Sequence, residues 1–215
     1  MRKLVIESLA GLVDRMVSEY VSDQVRIIGV AGFSGSGKTT LCRRIVESLQ
    51  GRAHHLDCDR FSAYSYSERQ SRLDCAARSG DPAVMSAEEN PRHWYAWDAL
   101  ADAVSSLRDS RMFAYDRAWN KNTGMLDGNY AIALPSEGPA LVLCDCIYLL
   151  HPPVRQWFDT TVYVDVPFSL TVDRGLLRAP NSQRAAYMER LHRTYSLPYF
   201  EEHARNADWV YDDRP

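Results

Sequence analysis

A chain of 215 residues, 46% hydrophobic and with a net charge of −3, is sized for one compact α/β domain with a full core. Charges of both signs are interspersed, which argues against nucleic-acid and membrane-surface binding. No apolar run has the length of a membrane span.

The first segment, MRKLVIESLAGLVDRMVSEY, starts basic and apolar, but Glu7, Asp14 and Glu19 interrupt it and no cleavage-like site follows, unlike a targeting signal. Leu4, Val5, Leu9, Leu12, Val13, Met16 and Val17 mark one face, so an amphipathic helix is expected over residues 1–22. VRIIGVAG then reads as a buried strand and KTTLCRRIVESLQG as a helix with apolar residues at Leu41, Ile45, Val46 and Leu49. Between them, Gly32, Gly37, Lys38 and Thr39 satisfy G-x-x-x-x-G-K-[ST], the phosphate-binding loop. Glycines let the backbone curl so that successive N–H groups converge on phosphate oxygens. Gly32, Ser34, Gly35, Ser36, Gly37, Lys38, Thr39 and Thr40 are therefore expected to hold a nucleoside triphosphate, with Lys38 at the β- and γ-phosphates and Thr39 on Mg²⁺.

AHHLDCDRF reads as a second strand ending in acids, with His54 and His55 given no special role. Residues 62–90 lose periodicity and suit loops with a helix or two. WDALADAVSSLRDS is a helix, and RMFAYDRAWNKNTGMLDGNYAIALP has two Gly-containing turns expected to form a small hairpin. ALVLCDCIYLL and TTVYVDVP are core strands, FSLTVDRGLLR a helix, and RAAYMERLHRTYSLPYFEEHAR a helix bent or broken at Pro198. ADWVYDD closes the sheet. This alternation implies a mainly parallel five-stranded sheet with helices on both faces. Cys42, Cys58, Cys75, Cys144 and Cys146 lack the paired spacing of a zinc set and read as free thiols of a reducing cytoplasm. Asn120 opens NKNT rather than the N-K-x-D of a guanine reader, and the acid in VLCDCIYLL is single, which disfavours a GTPase and a motor ATPase.

From Val25 onward the order of parts resembles the uridine kinase and phosphoribulokinase superfamily. The resemblance is carried by GFSGSGKTT, DCDRFS, HWYAWDAL with AYDRAWN, and VYVDVPFSLTVDRGLLR with LPYFEEHARNADWVYDD. It implies a three-layer α/β/α P-loop kinase fold in a single domain over 1–215, an acceptor-binding insertion near 60–135, and a short lid near 174–187. It further implies transfer of the γ-phosphoryl group of Mg-ATP to a hydroxyl of a small molecule. A nucleotide-binding regulator or a non-kinase P-loop ATPase is the alternative; no nucleic-acid or membrane partner is expected, and homo-oligomerisation stays open.

In that frame Asp59 matches the family's catalytic acid, with Asp57 the rival and an acidic cap the bland alternative. Asp145 takes the place of a Glu and joins Thr39 at the metal. Arg174 and Arg178 are four residues apart on one helix face and suit a transferring phosphoryl, though Arg pairs also serve solubility; Arg184 joins them on lid closure. Arg92, His93, Trp97, Tyr115, Arg117 and Asn120 fall in the acceptor region, where core packing is the safer use of most aromatics. Three departures sit there. Ser62 replaces a Tyr, Arg92 stands where the family has a ribose-binding Asp, and Asn120 replaces a base-reading His. An Arg in place of an acid favours an anionic or strongly accepting group over a sugar diol.

Overall fold

The computed structural model of the chain describes residues 4–19, 24–178 and 181–212. The chain forms two compact units, Cys58–Ala133 and the segments before and after it. In the second of these, six strands make one sheet in the order β1-β8-β7-β2-β6-β3: β1 Leu4–Ile6, β2 Val25–Ala31, β3 Ala53–Asp57, β6 Ala140–Asp145, β7 Thr160–Val164 and β8 Trp209–Tyr211. Every neighbouring pair is parallel. Strands β2, β6 and β7 are buried almost throughout, as continuous apolar runs in a covered parallel sheet must be.

Helix α1 (Leu9–Glu19) and helix α2 (Lys38–Ser48) cover one face. Leu12, Met16, Leu41 and Ile45 close there on Ile28, Val30, Leu143, Val162 and Val164 in one apolar cluster. On the opposite face, Phe200 of α8 (Leu197–His203) packs on Tyr163 of β7, with ring centres 5.3 Å apart. The architecture is the expected three-layer α/β/α fold. Among the described residues no helix is long and apolar enough to cross a membrane.

Two expectations need correction. Among the described residues the sheet has six strands rather than five, because the expected N-terminal helix is a strand followed by a helix; residues 1–3 and 20–22 of that expectation lie outside the described residues. Leu4, Val5 and Ile6 pair in parallel with Trp209, Val210 and Tyr211, and Ser8 begins α1 by accepting a hydrogen bond from the Gly11 amide at 3.1 Å. The apolar residues of the short strand happened to continue the helical spacing. The second correction is at Pro198. The helical register is interrupted before it by a π-helical turn, His192–Ser196, which links α7 (Ser182–Leu191) to α8 and lets Pro198 sit in the first turn of the latter.

In the unit Cys58–Ala133, a 3₁₀ turn (Cys58–Arg60) leads to α3 (Tyr66–Ser79), α4 (Pro82–Glu89), a 3₁₀ turn (Pro91–Trp94) and α5 (Trp97–Asp109). Ser65 and Glu68 form a reciprocal capping box at the start of α3, which explains how a helix of weak apolar pattern is fixed. The expected hairpin is β4 (Met112–Ala118) paired antiparallel with β5 (Gly128–Ala133).

Candidate active site

The phosphate loop joins β2 to α2 at the C-terminal edge of the parallel sheet, where α/β folds collect ligands. A Cβ on Gly32 would lie 2.7 Å from Ser36 Oγ, so the loop can close this tightly only on glycine. Gly35 has φ +85, and its Cβ position lies 2.9 Å from the Thr171 carbonyl. Gly37 is the N-cap of α2 and no side chain caps that helix, which leaves its first amides to a ligand. Ser36 Oγ, inside the loop, is buried without a hydrogen-bond partner among the described residues. A buried orphan hydroxyl beside uncapped amides fits a polyphosphate, an acceptor-only group. Lys38 is buried and its Nζ donates to the Phe33 carbonyl at 2.8 Å, which holds the ammonium within the curl.

Beside the loop, Thr39 Oγ1 donates to Asp145 Oδ2 at 2.5 Å, while His55 Nε2 donates to Asp145 Oδ1 at 2.6 Å. The fold makes this chain of three by register. His55 pairs with Leu143 and Asp57 with Asp145 on adjacent strands, so His55 and Asp145 sit one pleat apart on the α2 face. Burial alone would raise the Asp145 carboxyl, but the bonds from His55 and Thr39 and the Lys38 charge outweigh it and hold it below the usual carboxylate range. The same burial, with Asp145 and Cys144 nearby, pushes the Cys42 thiol well up and keeps it neutral. A hydroxyl and an ionised carboxylate are hard oxygen donors of the kind Mg²⁺ takes.

Arg174, on α6 (Phe168–Arg178), donates from Nη1 to the Gly35 carbonyl at 3.1 Å and so lies against the loop tip. Arg178 ends the same helix; its side chain, like residues 179–180 of the expected lid, lies outside the described residues. Arg184 on α7 lines a cavity of about 230 Å³ together with Ser34, Gly35 and His192.

The residues expected around the acceptor belong to the other unit. Asp59 lies in the 3₁₀ turn after β3, so strand alternation, which would put it on the same face as Asp57, does not apply to it. Its Oδ2 is 3.3 Å from Lys121 Nζ, and both side chains are more than half exposed. Phe61 and Ser62 run antiparallel to Tyr95: the Ala63 amide donates to Trp94 O and the Ala96 amide to Phe61 O. That bridge docks the 3₁₀ turn carrying Arg92 beside the segment after Asp59. Trp97 Nε1 donates to the Arg92 carbonyl at 2.9 Å, and Tyr115 stacks on Phe61 with ring centres 5.3 Å apart. Burial pushes the Tyr115 hydroxyl up, so it stays a neutral donor.

Two residues expected at the acceptor bond to neighbours in their own unit. Asn120 donates from Nδ2 to Asp127 Oδ1 at 3.0 Å and accepts from the Asn122 amide at 3.0 Å, so its side chain shapes the β4–β5 turn. His93 Nδ1 donates to Ala87 O at 2.8 Å. Arg117 is exposed on β4.

His55 is the site residue that sequence reasoning passed over. The signal available was its position two residues before Asp57 in a strand that ends in acids; pairing with β6 was not legible from the chain alone.

Residues 27–196 match the model of the phosphoribulokinase/uridine kinase family. A uridine kinase from Staphylococcus haemolyticus is 30% identical over 166 residues, which cover 76% of this chain and 72% of that one. The fold is similar to that of a candidate uridine kinase from Bacillus stearothermophilus, with a TM-score of 0.64 at 16% identity over 95% of this chain and 97% of the other. A candidate fructose transport system kinase from Silicibacter sp. gives a TM-score of 0.62 at 18% identity, covering 94% of this chain and 98% of the other. With a phosphate loop seated as this architecture requires and a family match running from β2 through the π-helical turn, the chain belongs to the phosphoribulokinase/uridine kinase family.

Proposed function

We propose that the chain transfers the γ-phosphoryl group of Mg-ATP to a hydroxyl of a small molecule that is not an unmodified pyrimidine nucleoside. The observation that carries this reading is the His55–Asp145–Thr39 chain beside the uncapped, orphan-bearing phosphate loop. Asp59 on the turn after β3 and Arg174 against the loop tip add the proton-accepting and charge-balancing groups that a protein only holding a nucleotide does not need.

Loop amides, Ser36 and Lys38 would bind the phosphates, and Thr39 and Asp145 would hold Mg²⁺. The metal would supply positive charge that offsets the charge of the phosphates. Arg174 backs the loop tip and Arg178 follows one turn later, a placement suited to balancing charge on the moving phosphoryl. Asp59 would take the proton of the acceptor hydroxyl. Its exposed contact with Lys121 contributes only about 0–1 kcal/mol, so a hydroxyl can displace it at little cost.

The acceptor reading rests on Arg92, with Trp97 and Tyr115 as walls. A guanidinium pairs with carboxylate, phosphate or carbonyl groups and offers a ribose diol no acceptor. Hydroxy acids, modified sugars and nucleoside analogues carry such groups. The test is ADP release from ATP with and without a panel of these acceptors and uridine. Release stimulated by one of these acceptors and not by uridine supports the reading, whereas equal release without any acceptor would mark a plain ATPase.

A further inference from the structure

One polar chain runs from the interior to the cavity beside the phosphate loop. The turn His192–Ser196 is π-helical, a form that recurs at functional sites. It brings His192 Nδ1 to 3.2 Å from Ser196 Oγ, which is 2.8 Å from the hydroxyl of Tyr148. Ser196 and Tyr148 are buried. His192 Nε2, by contrast, makes no hydrogen bond among the described residues, and the ring lines the cavity of about 230 Å³ that Ser34 and Gly35 of the phosphate loop also line.

We infer that His192 is a further phosphate-binding residue of this site, donating its Nε2–H to the terminal phosphate of the nucleotide while Ser196 and Tyr148 hold the ring in that tautomer. The inference rests on the reading of the loop as a triphosphate site. A phosphate oxygen only accepts, so it selects the form with the proton on Nε2. Nδ1 then accepts from Ser196, and Ser196 accepts from Tyr148. Both hydroxyls can rotate to serve this direction without displacing a heavy atom. Lys38, whose partner is the β/γ region, lies close enough to act on the imidazole.

The electrostatics agree. Burial, and then the Lys38 charge, push the His192 pKa below its ordinary value, so the ring is neutral at neutral pH. Charged groups around it are Lys38 from α2 and Arg184 and Glu189 from α7, the last of them engaged by Arg193 at 2.7 Å. A neutral donor adds a hydrogen bond to the phosphate without adding a further positive charge to those of Lys38, Arg174 and Arg184. Apolar Val172, Ala185 and Met188 line the same cavity, where a hydrogen bond to a charged partner counts for more than in water.

Asn and Gln separate the two ring nitrogens. His192→Asn keeps a polar group at the Nδ1 position and removes Nε2, whereas His192→Gln can present an N–H where Nε2 stood. The experiment is calorimetric binding of Mg-ATP and Mg-ADP to the full chain and to H192N, H192Q and S196A. One hydrogen bond to a charged group corresponds to a change of about 10- to 100-fold. H192N is expected to weaken Mg-ATP by about 10-fold or more and Mg-ADP much less, since ADP lacks the terminal phosphate. H192Q should recover most of that loss. S196A leaves His192 in place and should give a smaller loss in the same direction, so the inference does not depend on the folding of H192N. Mg-ATP affinity unchanged in H192N, or an equal loss for both nucleotides in H192N and H192Q, overturns it. If the wild type binds neither nucleotide, the phosphate-site reading itself fails, and the role of His192 with it.

Discussion

His55 Nε2 and Asp145 Oδ1 lie 2.6 Å apart across two neighbouring parallel strands, and the same carboxylate takes the Thr39 hydroxyl on its other oxygen. Partners that orient a metal-binding carboxylate typically change affinity or activity by about 10–100-fold when removed. His55→Ala is expected to raise the Mg²⁺ concentration needed for half-maximal turnover and to lower kcat/KM by about that factor. His55→Gln, which can still donate, should restore part of it. A magnesium titration identical to wild type in a folded H55A protein would show that Asp145 needs no such partner.

The depressed Asp145 pKa also has a consequence for stability. A carboxyl in the unfolded chain titrates near about 3.9, and the folded value is lower, so the unfolded state binds the proton first. The stabilisation from ionised Asp145 is therefore complete above the unfolded value and disappears as pH falls through the folded one. Melting temperatures of wild type and Asp145→Asn should differ at pH 6 and converge at strongly acidic pH. A gap that stays constant across this range would contradict the assignment.

Lys38→Ala should reduce phosphoryl transfer by about 10²–10³-fold or more, the scale of a lost electrostatic donor, in a protein whose fold is retained. Lys38 Nζ donates to the loop's own Phe33 carbonyl, and Lys38 is not a member of the apolar cluster between the sheet and its helices, so its removal leaves that core intact. Circular dichroism and a turnover assay on one preparation check both halves.

Asp59→Asn is expected to lower kcat by about 10²-fold or more with little change in nucleotide affinity, and Asp57→Asn to do less. The strand ends at Asp57, and Asp59 stands on the following turn with an exposed carboxylate. The reverse ranking in kcat would move the base two residues back along the chain.

The acceptor prediction is measured as kcat/KM across nucleosides, sugars and hydroxy acids. Plain uridine and cytidine should be poor, because a polar site built for another partner leaves its groups unpaired. Arg92→Asp should damage use of the true acceptor far more than ATP binding. Uridine turned over at about 10⁴ M⁻¹s⁻¹ or above would show that Arg92 does not set the acceptor.

Local order along the chain was enough to locate the phosphate loop, since it depends on glycine spacing and on the strand and helix that flank it. Core strands β2, β6 and β7 were legible for a similar reason: burial on both faces leaves unbroken apolar runs. Properties that join distant segments were not legible. Leu4–Ile6 became a strand because β8, two hundred residues away, offers an edge to pair with. His55 became part of the site because β3 pairs with β6 in a register that sets it one pleat from Asp145. Asn120 is engaged by the turn that it helps close, and the π-helical turn carries His192 at the cavity that Ser34 and Gly35 also line. Sequence determines which residues can do the chemistry, through spacing and side-chain type; strand register and helix geometry decide which of them meet, because hydrogen bonds form only at contact distance.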